Sequence, residues 1–469
     1  MYFRSFVRGN ISAISPVIFF LGLICFAFVA RPGFCAGELV SAQIKDNVRL
    51  ITISQGIKQV LKDSRLVKIS LAGKDMAIQD SLIARSAFLP RLSATLSQSY
   101  LDNEPKSKFG ASEVSTAQKD SLAYGFEVYQ TLYDFGKSFA NFRSTRELVN
   151  ASLANFEAVK KAAVLEFVLA YFDLLEAIKM IEVNEKEIES LQAYLSDAEQ
   201  LFEQGVVVKN DLLPARVKMA DARQRLIASR NSREMCASRI KNILTIPLND
   251  DIRVVDVDME ETQIPELAKA WEIAGSLRSE IIILNQQIKA STLAERAKAI
   301  ENFPTLFING GYSYTQNKYQ VHQDDIFVRL GAKADLYEGG ADRAELIKER
   351  DRRNQLTEQR NKISEDIGLE VQSAYLGLVD AKEKVSVSRG ALEQAEENVR
   401  ASRAKYNEGA ATNTEVLDAI ALQTNARTNY YRANYEMRRN FSRALYAMGI
   451  DLGLMFDRMN KEPVNERSK

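Results

Sequence analysis

The sequence predicts a mixed α/β membrane protein. Most of it is long helix in a coiled-coil barrel, and the rest is a transmembrane β-barrel shared between subunits, four strands from each chain. Three observations predict this. The chain is a tandem duplication: Leu132-Tyr133-Asp134-Phe135-Gly136 recurs 204 positions later as Leu336-Tyr337-Glu338-Gly339-Gly340. Each copy contains an unbroken helical stretch of about 65 residues, on the order of 100 Å at the rise of an α-helix, which needs coiled-coil partners. Each copy also carries two segments of period-two alternation, the pattern of strands with one apolar and one polar face.

The N-terminus comes first. Arg4 and Arg8 precede an apolar run over 11–30, and the small residues Gly33 and Ala36 follow. This reads as a secretory signal peptide over 1–36, cut near Cys35 or Ala36. The competing readings are an uncleaved anchor, because the run is long, and lipidation of Cys35, which the bulky Phe34 disfavours. No other segment approaches the ~20 apolar residues of a membrane helix, so any further span is made of strands.

The first repeat is expected over 45–255 and the second over 266–455, with a polar tail over 456–469. The offset of 204 also carries Ala170-Tyr171 onto Ala374-Tyr375 and Asp211-Leu212-Leu213 onto Glu415-Val416-Leu417. Upstream, Phe88-Leu89-Pro90 matches Asn302-Phe303-Pro304 at an offset of 214, which places ten extra residues of the first copy in the polar loop 101–121. Helical periodicity by itself does not align Gly and Pro punctuation in this way. In each copy a helix (51–88, 266–300) stops at Pro90 or Pro304, since proline lacks the N–H that would continue it. Two strands follow, then the long helix (138–202, 342–406), a turn marked by glycine, and a helix returning to about Leu244 or Met448.

Along the strands Leu92, Ala94, Leu96 and Tyr100 share one face against Ser93, Thr95, Ser97 and Ser99. Tyr124, Phe126, Val128 and Leu132 alternate with Gly125, Glu127, Tyr129 and Thr131. Leu306, Ile308, Tyr312 and Tyr314, and the run Ile326 to Leu336 opposite Arg329, Lys333 and Asp335, repeat the pattern. Alternation alone fits a soluble amphipathic sheet equally well; the length of the helices tips the reading toward a membrane. In the long helices Ile181, Ile188, Leu195 and Phe202 recur every seven residues, with Leu191 and Ala198 between them. The second copy places Val385, Leu392, Val399 and Tyr406 there, with Ala395 and Ser402 between, an a/d seam.

Four strands cannot close a barrel, and open edges in lipid leave backbone N–H and C=O groups unpaired at several kcal/mol each. Copies of the chain must therefore share one barrel; two would supply eight strands and three twelve. Composition excludes other classes. Lys+Arg and Asp+Glu both number 62, so there is no basic excess for nucleic acid. One His and a single Cys beyond the leader (Cys236) leave little material for a metal site or a His-based triad, and no catalytic or cofactor-binding set is expected.

The duplication, the Pro-marked junctions, Leu132 to Gly136 with its repeat, and the tips 202–211 and 406–419 together resemble the TolC-like outer-membrane efflux protein family, over roughly residues 45–455. The resemblance implies a homotrimer with a twelve-stranded barrel in outer-membrane lipid and a helical tunnel reaching into the periplasm. It implies a passive conduit for drug efflux or type I secretion, opened when a periplasmic adaptor and an inner-membrane pump or ABC exporter dock, and no cofactor. Residue by residue it implies a pore-lining acidic ring at Glu415 and Asp418, and a gate latch between Tyr406 and Asp211 of the neighbouring hairpin. Adaptor contact is implied at Gly205, Val206, Val207, Gly409 and Ala410. Ala411 stands where the family carries a basic latch residue. The alternative function is a periplasmic structural or adaptor coiled-coil protein whose strands form a soluble domain.

Overall fold

Equal helix lengths carry the duplication into three dimensions. The computed structural model describes residues 49–205, 208–257, 259 and 264–459. The expected signal peptide, Val206, Val207 and the end of the chain from 460 lie outside them. Strand β1 (Arg49–Ile51) leads into α1 (Ile53–Asp63) and α2 (Arg65–Arg85). Strand β2 (Arg91–Tyr100), a short hairpin of β3 (Lys106–Phe109) and β4 (Ser112–Ser115), and β5 (Asp120–Tyr133) follow. Then come α3 (Lys137–Glu203), α4 (Lys209–Ile243) and β6 (Ile252–Val254). The second copy runs α5 (Leu267–Leu277), α6 (Ser279–Ala299), β7 (Thr305–Thr315), β8 (Asp324–Lys333), α7 (Ala341–Asn407) and α8 (Asn413–Ala447), and α9 (Leu452–Met459) follows it. The four helices of each copy are 11, 21, 67 and 35 residues long in both.

Local chemistry sets the boundaries. Thr52 caps α1: the Gln55 N–H donates to Thr52 Oγ1 and the Thr52 N–H to Gln55 Oε1, each at 3.3 Å. Both long helices start after a left-handed glycine, Gly136 at φ 92° and Gly340 at φ 87°, a conformation that costs an L side chain. Asp134 adds a cap, accepting from the N–H groups of Gly136 (3.1 Å) and Ser138 (2.8 Å).

Strands β2, β5, β7 and β8 form one antiparallel sheet in that order, so β5 and β7 join the two copies and β2 and β8 are its edges. The register lines up Ala94, Phe126, Tyr312 and Ile326 in one row, and Leu92, Val128, Gly310 and Val328 in the next. Alternation then puts most apolar residues of the four strands on a single face, with Phe307 and Phe327 on the other. The loop expected over 101–121 is partly ordered as the β3–β4 hairpin. It is tied to the β7–β8 turn, where Tyr319 Oη donates to Glu104 Oε1 (2.6 Å) and Asn317 Nδ2 to the Thr116 carbonyl (2.9 Å). Short side-chain bonds of this kind leave no periodic signal.

The helices bury a core of Phe167, Tyr171, Phe172, Ile240, Leu378 and Tyr435. The parallel pair β1–β6 lies against it and brings the two ends of the first repeat together. Tyr171 Oη donates to the Val255 carbonyl at 2.6 Å and accepts from the Val255 N–H at 3.1 Å, and burial pushes its phenol up to about 12. Segment 255–257 is pinned from the other side: Arg438 donates to Asp256 (2.7 Å) and to the Val257 carbonyl (2.8 Å), and Tyr435 Oη donates to Asp256 (2.9 Å).

Three expectations change. The first helix of each copy, expected unbroken over 51–88 and 266–300, divides where Ser64 and Arg278 leave the helical conformation at ψ 132° and 122°. In α3 the buried line is Leu191, Tyr194 and Ala198, whereas Phe202 is 41% exposed. Helix α3 lies between α4 and α8, so its buried centre falls between two partners and off the Ile181–Phe202 stripe. In α7 the expected Ala395, Val399 and Tyr406 are buried. The polar tail placed from 456 starts inside α9, where Phe456 is buried in the helical core.

Candidate functional site

The residues expected to act lie at the helical tips, and the sheet adds a polar face that the sequence analysis gave no role. At the second tip α7 ends at Asn407 and Gly409 turns the chain at φ 73°. The N–H groups of Gly409 and Ala410 donate to the carbonyls of Tyr406 (2.9 Å) and Lys405 (2.8 Å), closing groups the helix end leaves open. Helix α8 then starts on a capping box. The Glu415 N–H donates to Thr412 Oγ1 at 3.4 Å, and the Thr412 N–H to Glu415 Oε1 at 3.3 Å. The first tip turns at Gly205 (φ 74°), but Val208 stands where Thr412 does and has no oxygen. Only the return bond survives there, from the Val208 N–H to Asp211 Oδ2 at 3.2 Å.

The two tips share one apolar core that includes Leu191, Tyr194, Leu212, Tyr406, Val416 and Ile420. A polar tie crosses it. Tyr194 Oη donates to Asn413 Oδ1 at 2.6 Å, and Asn413 Nδ2 donates to the backbone carbonyl of Asp211. Burial, followed by the neighbouring Tyr406 hydroxyl, raises the Tyr194 phenol far above its ordinary range, so it stays a donor. The Tyr406 ring packs on Tyr194 with centroids 5.3 Å apart. Its hydroxyl is buried and finds no hydrogen-bond partner among the described residues. The expected Tyr406–Asp211 latch is therefore not made within one chain, where the Asp211 carboxylate is turned to the Val208 N–H.

Sequence reasoning missed Tyr194 and Asn413. Their one signal is an aromatic three residues after Leu191 on the seam, which reads as core. Glu415 and Asp418 are both exposed, one turn apart, with Val416, Leu417 and Ala419 buried between and beside them. Gly205, Gly409 and Ala410 are exposed at the tips.

On the sheet the apolar face is open: Leu92 is 70% exposed and Ile326 84%. The opposite face carries Arg91, Ser93 and Thr95 on β2, Glu127 and Tyr129 on β5, Asn309 and Ser313 on β7, and Arg329 and Lys333 on β8. There Asn309 Nδ2 donates to Glu127, Tyr129 stacks on Phe307 (5.4 Å), and the Arg329 guanidinium lies 4.5 Å from the Phe327 ring centre. Where helices meet sheet, Lys137 and Lys298 both pair with Glu301, at 2.9 and 2.8 Å. Among the described residues no group of His, Cys, Asp and Glu is placed to hold a metal ion, and no helix is long and apolar enough to cross a membrane.

Comparison with known proteins fits this arrangement. The family profile described as outer membrane efflux protein matches residues 56–244 and 285–449. The chain is 19% identical to Outer membrane protein TolC of Escherichia coli (strain K12) over 416 residues, 84% of this chain and 82% of that protein. It is 19% identical to Outer membrane efflux protein BepC of Brucella suis, covering 84% of each. Among solved structures, the CmeC outer membrane channel of Campylobacter jejuni superposes with a TM-score of 0.73 at 14% identity, over 87% of this chain and 89% of that one. The CusC transmembrane channel superposes at 0.75 and 17% identity, over 85% and 92%.

Proposed function

The chain belongs to the outer membrane efflux protein family, and from that premise we propose a gated homotrimer that carries cargo from the periplasm to the outside. It is an outer-membrane efflux channel and not an enzyme, with the sheet of β2, β5, β7 and β8 in the outer membrane and its helices reaching into the periplasm.

One observation carries the shared barrel. The sheet leaves an apolar face exposed, while the outer edges of β2 and β8 have no partner strand among the described residues. In lipid those edges must pair with neighbouring copies; the family resemblance supplies the number three, which makes a barrel of twelve strands. The helical tips point away from the sheet along α3 and α7, about 100 Å of helix each, and so form the periplasmic end.

Gating is assigned to the tips. Three copies of Glu415 and Asp418 around a narrow opening favour cations and repel anions. Within a subunit the tips are held by the Tyr194–Asn413–Asp211 tie. A Tyr406–Asp211 latch belongs to a rearranged state or to contact between neighbouring subunits. A periplasmic adaptor would dock at Gly205, Val206, Val207, Gly409 and Ala410 and bring an inner-membrane pump or ABC exporter, for drug efflux or type I secretion.

The test is mass measurement in detergent followed by planar-bilayer recording. The expected outcome is a trimer that conducts ions with cation preference, and Glu415→Ala/Asp418→Ala reduces that preference. A water-soluble monomer without conductance overturns the proposal; unchanged cation preference in the double variant removes only the acidic ring.

A further inference from the structure

The polar face of the sheet has a charge pattern that the gate does not use. One row across all four strands reads Arg91, Tyr129, Asn309, Arg329. It contains no acid, and neither arginine has an ion pair among the described residues. The nearest carboxylate on that face, Glu127 in the next row, accepts from Asn309. Asp325 lies two rows from Arg329, opposite Ser313, and Lys333 already pairs with Asp335 at 3.3 Å.

Position sharpens the pattern. Arg91 lies on β2 and Arg329 on β8, the two open edges. When neighbouring subunits close the barrel these strands adjoin, so guanidinium groups flank every seam on the wall facing the lumen. Arginine stays protonated at any physiological pH. The wall behind the row is apolar and faces lipid, which screens the charges poorly. Aromatic surface lies beside them: Tyr129 stacked on Phe307, and Phe327 under Arg329.

We propose that this row is a binding belt for small aromatic organic anions, carboxylates or sulfonates, on their way out through the barrel. The guanidinium fork donates to two oxygens of such a group, and the flat body stacks on the tyrosine and phenylalanine rings. The inference rests on the channel reading above. It differs from the acidic ring in place and sign, because the tips favour cations and this belt favours anions.

The experiment uses the full-length protein in planar bilayers with potassium benzoate and potassium chloride gradients. Glu415→Ala/Asp418→Ala is the background, so that the tips do not dominate selectivity. Adding Arg91→Gln/Arg329→Gln is expected to lower the benzoate-to-potassium permeability ratio by about threefold or more. Adding Arg91→Lys/Arg329→Lys is expected to keep the chloride-to-potassium ratio and lose part of the preference for benzoate over chloride, since lysine has charge without the fork. A glutamine variant that conducts with the background's selectivity overturns the belt. If that variant does not insert, the lysine variant decides: undiminished preference for benzoate over chloride overturns it. Failure of the unmodified protein to conduct defeats the channel reading itself, a separate outcome.

Discussion

The middle of α3 and the middle of α7 are one helix built twice, and they are buried to different depths. In α3 Phe167, Val168, Tyr171, Phe172, Leu174 and Leu175 are all buried. At the matching positions of α7, Val371 and Leu378 are buried, but Leu376 is 54% exposed, and Tyr375 and Val379 are also accessible. The difference comes from what covers each. Helix α3 is packed by α1, β6 and α9, pieces from distant parts of the chain. Among the described residues α7 has α5 at the corresponding place and no counterpart of the β1–β6 pair. Duplication copied the helix without copying its cover, so the exposed side of α7 is free for a neighbouring subunit.

The largest expected effect tests that contrast directly. Phe172→Ala should destabilise the subunit by about 3–5 kcal/mol, because a fully buried aromatic leaves a cavity. Leu376→Ala at the matched site should leave the detergent-solubilised monomer within about 0.5 kcal/mol of wild type. Heat resistance of the oligomer on gels separates the two: a fall for Leu376→Ala that the isolated subunit does not show means α7 is covered by a neighbour. Equal effects on the isolated subunit would break the comparison.

A second effect probes how each copy solved the same packing problem. A Cβ on Gly56 of α1 would sit 2.0 Å from Phe167 Cζ. The second copy has Ala270 for Gly56 and Val371 for Phe167; Phe167, Ala270 and Val371 share one core, and Gly56 is buried against Phe167. Gly56→Ala should destabilise by about 1–3 kcal/mol through overpacking. Adding Phe167→Val installs the second copy's pair and should show a favourable coupling of about 1–2 kcal/mol in a double-mutant cycle followed by thermal melts. Strict additivity would mean that the pairs are not exchangeable.

The smallest effects lie at the tips. Tyr194→Phe removes the bond to Asn413, about 1 kcal/mol, and should raise the open-to-closed ratio in single-channel records roughly fivefold. Tyr406→Phe removes a hydroxyl without a partner in the described chain and should leave that ratio near wild type; a large rise would instead favour the Tyr406–Asp211 latch. Thr412→Ala should weaken the start of α8 by about 1 kcal/mol, and Val208→Thr should strengthen the start of α4 by about half as much. Hydrogen exchange at the two helix starts reads both.

Much of the fold was legible because it is periodic. Gly136, Gly340, Pro90 and Pro304 punctuate long patterns, and the two long helices begin and end within a residue of where these place them, although the first helix of each copy divides at Ser64 or Arg278. The strand faces were legible for the same reason. The tie through Tyr194 and Asn413 was not: it joins residues 219 positions apart, and neither departs from an ordinary helix pattern. The acids Glu415 and Asp418 were legible only through resemblance, since two exposed acids on a helix carry no signal by themselves.

By itself the sequence determined the long elements and their order, because a helix or strand needs only local spacing of apolar residues and a breaker at each end. It also determined the four strands of the main sheet, and with them the need for other copies to seal the barrel, but not β1, β6 or the β3–β4 hairpin. The tertiary structure decided which stripe of α3 is buried, that β1 and β6 meet beneath Tyr171, that Phe456 packs rather than trails, and that Arg91 and Arg329 share a row. Each of these depends on which distant surfaces come together, and covering an apolar face has the same local signature whatever covers it.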